Sequence, residues 1–79
     1  MGYVYRYLRL GRPHETRFLA LRQAFDRACD DLETEDAMPI EIANDEEIVF
    51  SSFDLYTMCD PYFDWKAGRG AHPLDALPM

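Results

Sequence analysis

The stretch FLALRQAFDRACDDL, residues 18–32, carries apolar side chains at intervals of three and four residues. The apolar positions are Phe18, Leu21, Phe25, Ala28 and Leu32. A helix has about 3.6 residues per turn, so this spacing places them on one face. Pro13 suits a first helical turn, and Glu15 then lies near the positive end of the helix dipole. The pattern predicts an amphipathic helix over residues 13–33.

The segments on either side of this helix have the composition of strands. Residues 3–10, YVYRYLRL, place three tyrosines on one face and mainly apolar residues on the other, and Gly11 ends the segment. After Pro39, Ile40 and Ile42 share a face, and a third strand at residues 48–50 follows the turn at residues 44–47. We therefore expect a small, mainly antiparallel sheet.

The C-terminal part contains a second helix signal. Ser51 and Asp54 have the spacing of a capping box, which predicts a short helix beginning at FDLYTMC. Asp60 and Pro61 are expected to interrupt it, with one further turn before an irregular tail at residues 68–79. We expect the 79 residues to form a single domain of the α+β class, in the order β-α-β-β-α.

Charge is distributed very unevenly. Residues 1–22 contain five arginines and one glutamate, whereas residues 23–64 contain thirteen acidic residues and one arginine. The formal net charge is −7. Such segregation predicts the kind of partner the protein binds rather than its fold.

The candidate binding residues are the acids of the predicted helix end and of the predicted turn. They are Asp26, Asp30, Asp31, Glu33, Glu35, Asp36, Asp45, Glu46 and Glu47. Carboxylates at a helix C-terminus oppose the helix dipole, so local stability does not explain them. The turn acids are expected to lie near the helix end. Two interpretations stay open: a solvated face that keeps the domain soluble, and an anionic surface that binds a partner.

Other kinds of site have weaker support. No glycine follows an aspartate at the offset of a calcium-binding loop, so no metal site is expected, and no cofactor is expected either. His14 and His72 have no nucleophile at a catalytic spacing, so no catalytic residues are predicted and the protein is not expected to be an enzyme. We expect Cys29 and Cys59 to be buried thiols, with a single disulfide as the alternative.

The protein is expected to be cytoplasmic. The N-terminal residues lack the apolar run of a signal peptide, and no apolar run reaches the length of a membrane span. No membrane partner is therefore predicted. So small a domain has a limited core, which makes a homo-oligomer or a large partner a route to added stability.

The arginines and tyrosines of the first 22 residues suggest a competing hypothesis. Tyr3, Tyr5 and Tyr7 could stack on bases while the arginines contact phosphates. We prefer the interpretation in which the tyrosines cover the sheet and the arginines pair with acids inside the protein. Direct nucleic-acid binding is therefore not expected.

The acidic segments DRACDDLETED and NDEE, in so short a chain, resemble the small inhibitors of phages and mobile elements, above all the anti-CRISPR proteins. The resemblance implies a partner with a basic, nucleic-acid-binding surface, in the host cytoplasm if the gene is carried by a phage. That partner would be a CRISPR surveillance complex or effector. The mechanism would be nucleic-acid mimicry or steric occlusion that blocks target DNA. It also implies that reversing the charges of Asp30, Asp31 and Glu33 abolishes binding and leaves the fold intact.

The alternative function is a protein-interaction module of another kind. An antitoxin, an immunity protein or an accessory subunit could use the same acids to neutralise a basic partner. The identity of the partner separates the two hypotheses.

Overall fold

The computed structural model describes residues 2–45 and 47–76, which fold into a four-stranded sheet with two helices. The elements are β1 (Tyr3–Arg9), β2 (Arg12–Phe18), α1 (Leu21–Thr34), β3 (Met38–Asn44), β4 (Glu47–Phe50) and α2 (Ser52–Lys66), followed by a 3-10 turn at Pro73–Ala76. All strand pairs are antiparallel, in the order β2-β1-β3-β4. The α+β class is confirmed.

The prediction that the first helix begins at Pro13 is wrong, because residues 12–18 form strand β2. The two-residue turn Leu10-Gly11 has positive φ at both positions, 54° and 75°, which is the turn geometry that suits a tight hairpin. β2 then pairs with β1 along its whole length, from Arg9 opposite Arg12 to Tyr3 opposite Phe18. Pro13 is tolerated because β2 is an edge strand, where a missing N–H need not remove a ladder bond. The order is therefore β-β-α-β-β-α.

The second helix is longer than the sequence predicts. The capping box is confirmed: the Ser51 side chain accepts from the Asp54 N–H, and the Asp54 carboxylate accepts from the Ser51 N–H. Pro61 does not interrupt α2, which continues to Lys66. Pro61 has no N–H to donate to the preceding turn, and the nearby Cys59 and Tyr62 are buried in the core.

Both helices pack on one face of the sheet and enclose the core. Tyr5, Ile42 and Phe50 lie opposite one another on β1, β3 and β4, and they pack against Phe25 of α1 and Leu55 of α2. The predicted common face of the β1 tyrosines is the face that the helices cover, and Tyr5 and Tyr7 are buried there. Among the described residues, no buried side-chain nitrogen or oxygen lacks a hydrogen-bond partner.

The tail is only partly irregular. His72 is completely buried, and the 3-10 turn that follows it packs against α2 through Leu74. Residues 77–79, which belong to the predicted irregular tail, lie outside the described residues.

Candidate functional site

Asp31 is an internal residue of the fold and not part of an exposed face. Its side chain is on the buried side of α1, where one carboxylate oxygen accepts from the Tyr5 hydroxyl at 2.8 Å. The other oxygen accepts from Arg27 Nε at 3.3 Å. Burial and the hydrogen bond to Asp31 raise the pKa of Tyr5, which keeps the hydroxyl protonated as the donor. Asp31 is therefore not presented to a partner.

Asp30 connects the two helices. Its Oδ1 accepts from the Tyr62 hydroxyl at 2.9 Å and from Lys66 Nζ at 3.0 Å, both on α2. Glu33 lies 3.6 Å from the same Lys66 ammonium group. Burial and the Asp30 hydrogen bond raise the pKa of Tyr62, and the Asp30 hydrogen bond raises the pKa of Lys66. The side chains of Asp30 and Glu33 are partly exposed, but both are already paired with the Lys66 ammonium group.

Asp26 holds the C-terminal segment. Its Oδ1 lies 2.7 Å from Nε2 of the buried His72. The Leu74 N–H donates to His72 Nδ1 at 3.1 Å, so the ring proton is on Nε2 and is donated to Asp26. The His72 ring packs against Phe25 and Trp65, with centroid distances of 5.6 and 4.7 Å. This aspartate therefore has a structural role.

Four of the predicted site residues are exposed, and their side chains have no hydrogen bond or ion pair within residues 2–45 and 47–76. Glu35 and Asp36 follow α1, and Asp45 and Glu47 flank the β3–β4 turn. Glu46 lies outside the described residues.

The expectation that the turn acids lie near the helix end is wrong, because strand β3 separates Glu35 and Asp36 from Asp45 and Glu47. Its six residue steps correspond to about 20 Å.

Glu35 and Asp36 border a groove of about 550 Å³ at one end of the molecule. The groove lies between the β1–β2 turn, the end of α1, the start of β3 and the middle of α2. Its apolar lining is Leu8, Leu10, Leu32, Ala37, Met38 and Tyr56. Leu10 is 96% exposed and Met38 57%, which is unusual for apolar residues grouped in one place.

Sequence reasoning missed this groove. The only available signal was the dipeptide Leu10-Gly11 between two segments of strand-like length, which is compatible with a hairpin. Because a helix was predicted from Pro13 onward, residues 12–18 were not recognised as the second strand of that hairpin.

The arginines of the first 22 residues are only partly paired. Arg6 binds Glu41 and Glu15, and Arg22 binds Asp75. Arg9, Arg12 and Arg17 have no ion pair in the described part of the chain. Since Tyr5 and Tyr7 are buried beneath the helices, they are not available to stack on bases.

The cysteines occupy the core between the helices. Cys29 and Cys59 are both buried and free, as expected. The neighbouring Cys59 side chain, together with burial, raises the pKa of Cys29. Cys29 is therefore a protonated thiol rather than a reactive thiolate.

Within the described ranges, no group of three or more histidine, cysteine or acidic side chains is arranged to hold a metal ion. Neither helix among these residues has the length and apolar character needed to cross a membrane. Comparison with protein-family models, with curated proteins and with solved structures finds no match to the chain.

Proposed function

We propose that this protein is a small acidic inhibitor that binds a nucleic-acid-binding protein complex and keeps target DNA from its basic surface. The partner we propose is a CRISPR surveillance complex or effector, following the resemblance to the anti-CRISPR proteins. The observation that supports this most directly is the set of exposed carboxylates at the two ends of β3. They are the pairs Glu35–Asp36 and Asp45–Glu47, which have no cation among the described residues.

The backbone at two of these residues has a defined conformation. Glu35 and Asp45 both have left-handed backbone conformations, with φ of 61° and 57°, at the end of a helix and at a hairpin turn. The backbone at such turns is already ordered before a cation binds, so only the side chains lose conformational freedom on binding. With a net charge of −7, the protein also attracts a basic surface at long range, which speeds association. Binding is therefore expected to weaken as salt is added.

The α1 acids have another role in this proposal. Asp26, Asp30 and Asp31 connect α1 to the tail, to α2 and to the sheet. They hold the scaffold that carries the free carboxylates. Reversal of Asp31 would place a lysine in the core, so a test of binding has to use the exposed pairs instead.

The second candidate function is a protein-interaction module such as an antitoxin, an immunity protein or an accessory subunit. The groove favours it, because a mimic of the phosphate backbone needs no exposed apolar side chains such as Leu10 and Met38. In that case the partner would be a basic protein without a nucleic-acid role.

A capture experiment with matched variants tests the proposal. The tagged protein is incubated with nuclease-treated host lysate, and the captured proteins are identified by mass spectrometry. Two variants, D45N/E47Q and E35Q/D36N, each remove two free charges. The control D60N/D64N removes two exposed charges from α2. Asparagine suits the left-handed backbone of Asp45, so the turn is expected to be kept.

We expect the wild type and D60N/D64N to retain a nucleic-acid-binding complex in stoichiometric amount, and D45N/E47Q to retain less. E35Q/D36N measures how much the pair beside the groove contributes to this binding. Equal retention by all four proteins would contradict a role for the free carboxylates. A captured protein without any nucleic-acid role would support the second candidate function.

A further inference from the structure

The leucine side chain at position 10 is required neither by the geometry of the turn nor by the packing of the core. It is 96% exposed, and its φ of 54° is in the left-handed region. Glycine, asparagine and aspartate adopt this conformation far more readily than leucine does. A leucine here strains the backbone and exposes apolar surface. The exposed Leu10 side chain is therefore suited to a contact with another molecule.

The groove beside Leu10 offers an apolar counterpart. Leu32, Met38 and Tyr56 line it, and Tyr56 and Met38 are 42% and 57% exposed. Glu35 and Asp36 form its charged border, and none of the described residues that line it is basic. Such a groove fits an apolar side chain that has cations on either side.

The β1–β2 turn presents such a group, because Leu10 is an apolar side chain with an arginine on either side of the turn. Arg9 and Arg12 lie directly opposite each other at the base of the turn. Neither has an ion pair among residues 2–45 and 47–76, although the Arg9 guanidinium lies over the Tyr7 ring at 5.8 Å. One end of the molecule thus combines an exposed leucine, an apolar groove, two free cations and two free anions.

We propose that this end of the molecule binds a second copy of the chain through a two-fold interface. Leu10 of each copy would enter the groove of the other and contact Leu32, Met38 and Tyr56 there. Arg9 and Arg12 would pair with the Glu35 and Asp36 carboxylates across the interface. In a two-fold dimer every contact occurs twice, so the same patch has to supply both the inserted group and its receptor.

A second copy fits this patch better than an unrelated basic protein does. A basic partner would neutralise Glu35 and Asp36 but would meet Arg9 and Arg12 with charge of the same sign. A second copy would instead pair all four of these charged side chains. Small domains with limited cores also commonly gain stability through oligomerisation. The chain exposes 5330 Å², of which a standard interface would cover about 800 Å².

The inference does not depend on the proposed function. In the dimer Glu35 and Asp36 would be paired with arginines, so Asp45 and Glu47, at the other end of β3, would be the carboxylates that bind a basic partner. The mass of the purified protein in solution tests the dimer, whereas capture of a partner tests the function.

A charge-reversal experiment gives the sharpest test. Sedimentation is measured from micromolar to millimolar concentration for the wild type, for R9E/R12E, for E35R/D36R and for an equimolar mixture of these two variants. L10N, whose new side chain suits the left-handed turn, removes the inserted group. L19N, at another exposed leucine outside the groove, is its control. Circular dichroism establishes that each variant is folded.

We expect the wild type to approach twice its chain mass of 9.2 kDa as concentration rises. Each charge-reversed variant and L10N should stay monomeric, L19N should dimerise, and the mixture should regain the dimer. A wild type that is monomeric at every concentration would overturn the proposal. A dimer that persists in L10N would also overturn it, because that dimer would use another interface. Folded charge-reversed variants that do not associate when mixed would overturn it as well.

Discussion

The buried carboxylate of Asp31 accepts a hydrogen bond from the Tyr5 hydroxyl at 2.8 Å, across the centre of the core. The pair connects α1 to the central strand β1. In the sequence, Asp31 stands in the middle of an acidic segment and looks like a surface residue. Its burial shows that part of this segment holds the fold together.

Asp31→Ala is therefore expected to destabilise the fold. The Tyr5 hydroxyl would lose its acceptor in the core, at a cost of about 1–3 kcal/mol. Asp36→Ala removes an exposed carboxylate from the same segment and is expected to change stability by less than about 0.5 kcal/mol. Urea unfolding of the two variants measures the difference. Equal stability of the two would mean that the buried hydrogen bond contributes nothing.

Alkaline pH is expected to destabilise the protein partly through Tyr5. Burial, with the Asp31 hydrogen bond, raises the pKa of Tyr5 above its ordinary value of 10.0. The unfolded chain therefore loses this proton first, and the stabilisation present below pH 10 declines as pH rises further, by up to about 1.4 kcal/mol per unit for one proton. In urea unfolding above this pH, Tyr5→Phe should lose stability less steeply than the wild type. Parallel slopes would contradict the assignment.

His72→Ala is expected to cost about 3 kcal/mol, because it empties an aromatic site and leaves the Leu74 N–H without its acceptor. His14 provides a matched control. It is exposed and stacks on Tyr7, so His14→Ala should cost less than about 1 kcal/mol. Thermal or urea unfolding compares them. If the His72 variant were as stable as the His14 variant, the tail would not be part of the cooperative fold.

Substitutions at the N-cap residues of the two helices are expected to change stability in opposite directions. Ala20 has the extended backbone of an N-cap but no side-chain hydrogen bond, so Ala20→Ser should stabilise the protein by about 1 kcal/mol. Ser51 caps α2, and Ser51→Ala should destabilise it by a similar amount. Urea unfolding measures both. A neutral Ala20→Ser substitution would show that α1 starts without any need for a cap.

The sequence was sufficient to predict the fold class, the capping box of α2 and the shared face of the β1 tyrosines. These features depend on local spacing. It misplaced residues 12–18 because Phe18 continues the helical spacing of Leu21 and Phe25. In fact Phe18 reaches the core from the end of a strand. The long-range pairing of β2 with β1 outweighed that local pattern.

The candidate site was less accessible to sequence reasoning. Asp26, Asp30 and Asp31 were grouped correctly as neighbours on α1, but their partners are 26 to 46 residues away in the chain. Only the tertiary fold reveals which carboxylates are already bonded. Among the predicted site residues that the structure describes, the free ones are at the ends of β3, and the groove beside Leu10 exists only because β1 and β2 form a hairpin.

The most direct test of the proposed function is displacement of DNA from a purified CRISPR surveillance complex or effector recovered by the capture experiment. Fluorescence anisotropy of its labelled target duplex is followed as the protein is added. We expect the wild type and D60N/D64N to prevent duplex binding at stoichiometric concentration, and D45N/E47Q to require a much higher concentration. Full duplex binding by a complex saturated with the wild-type protein would contradict the account.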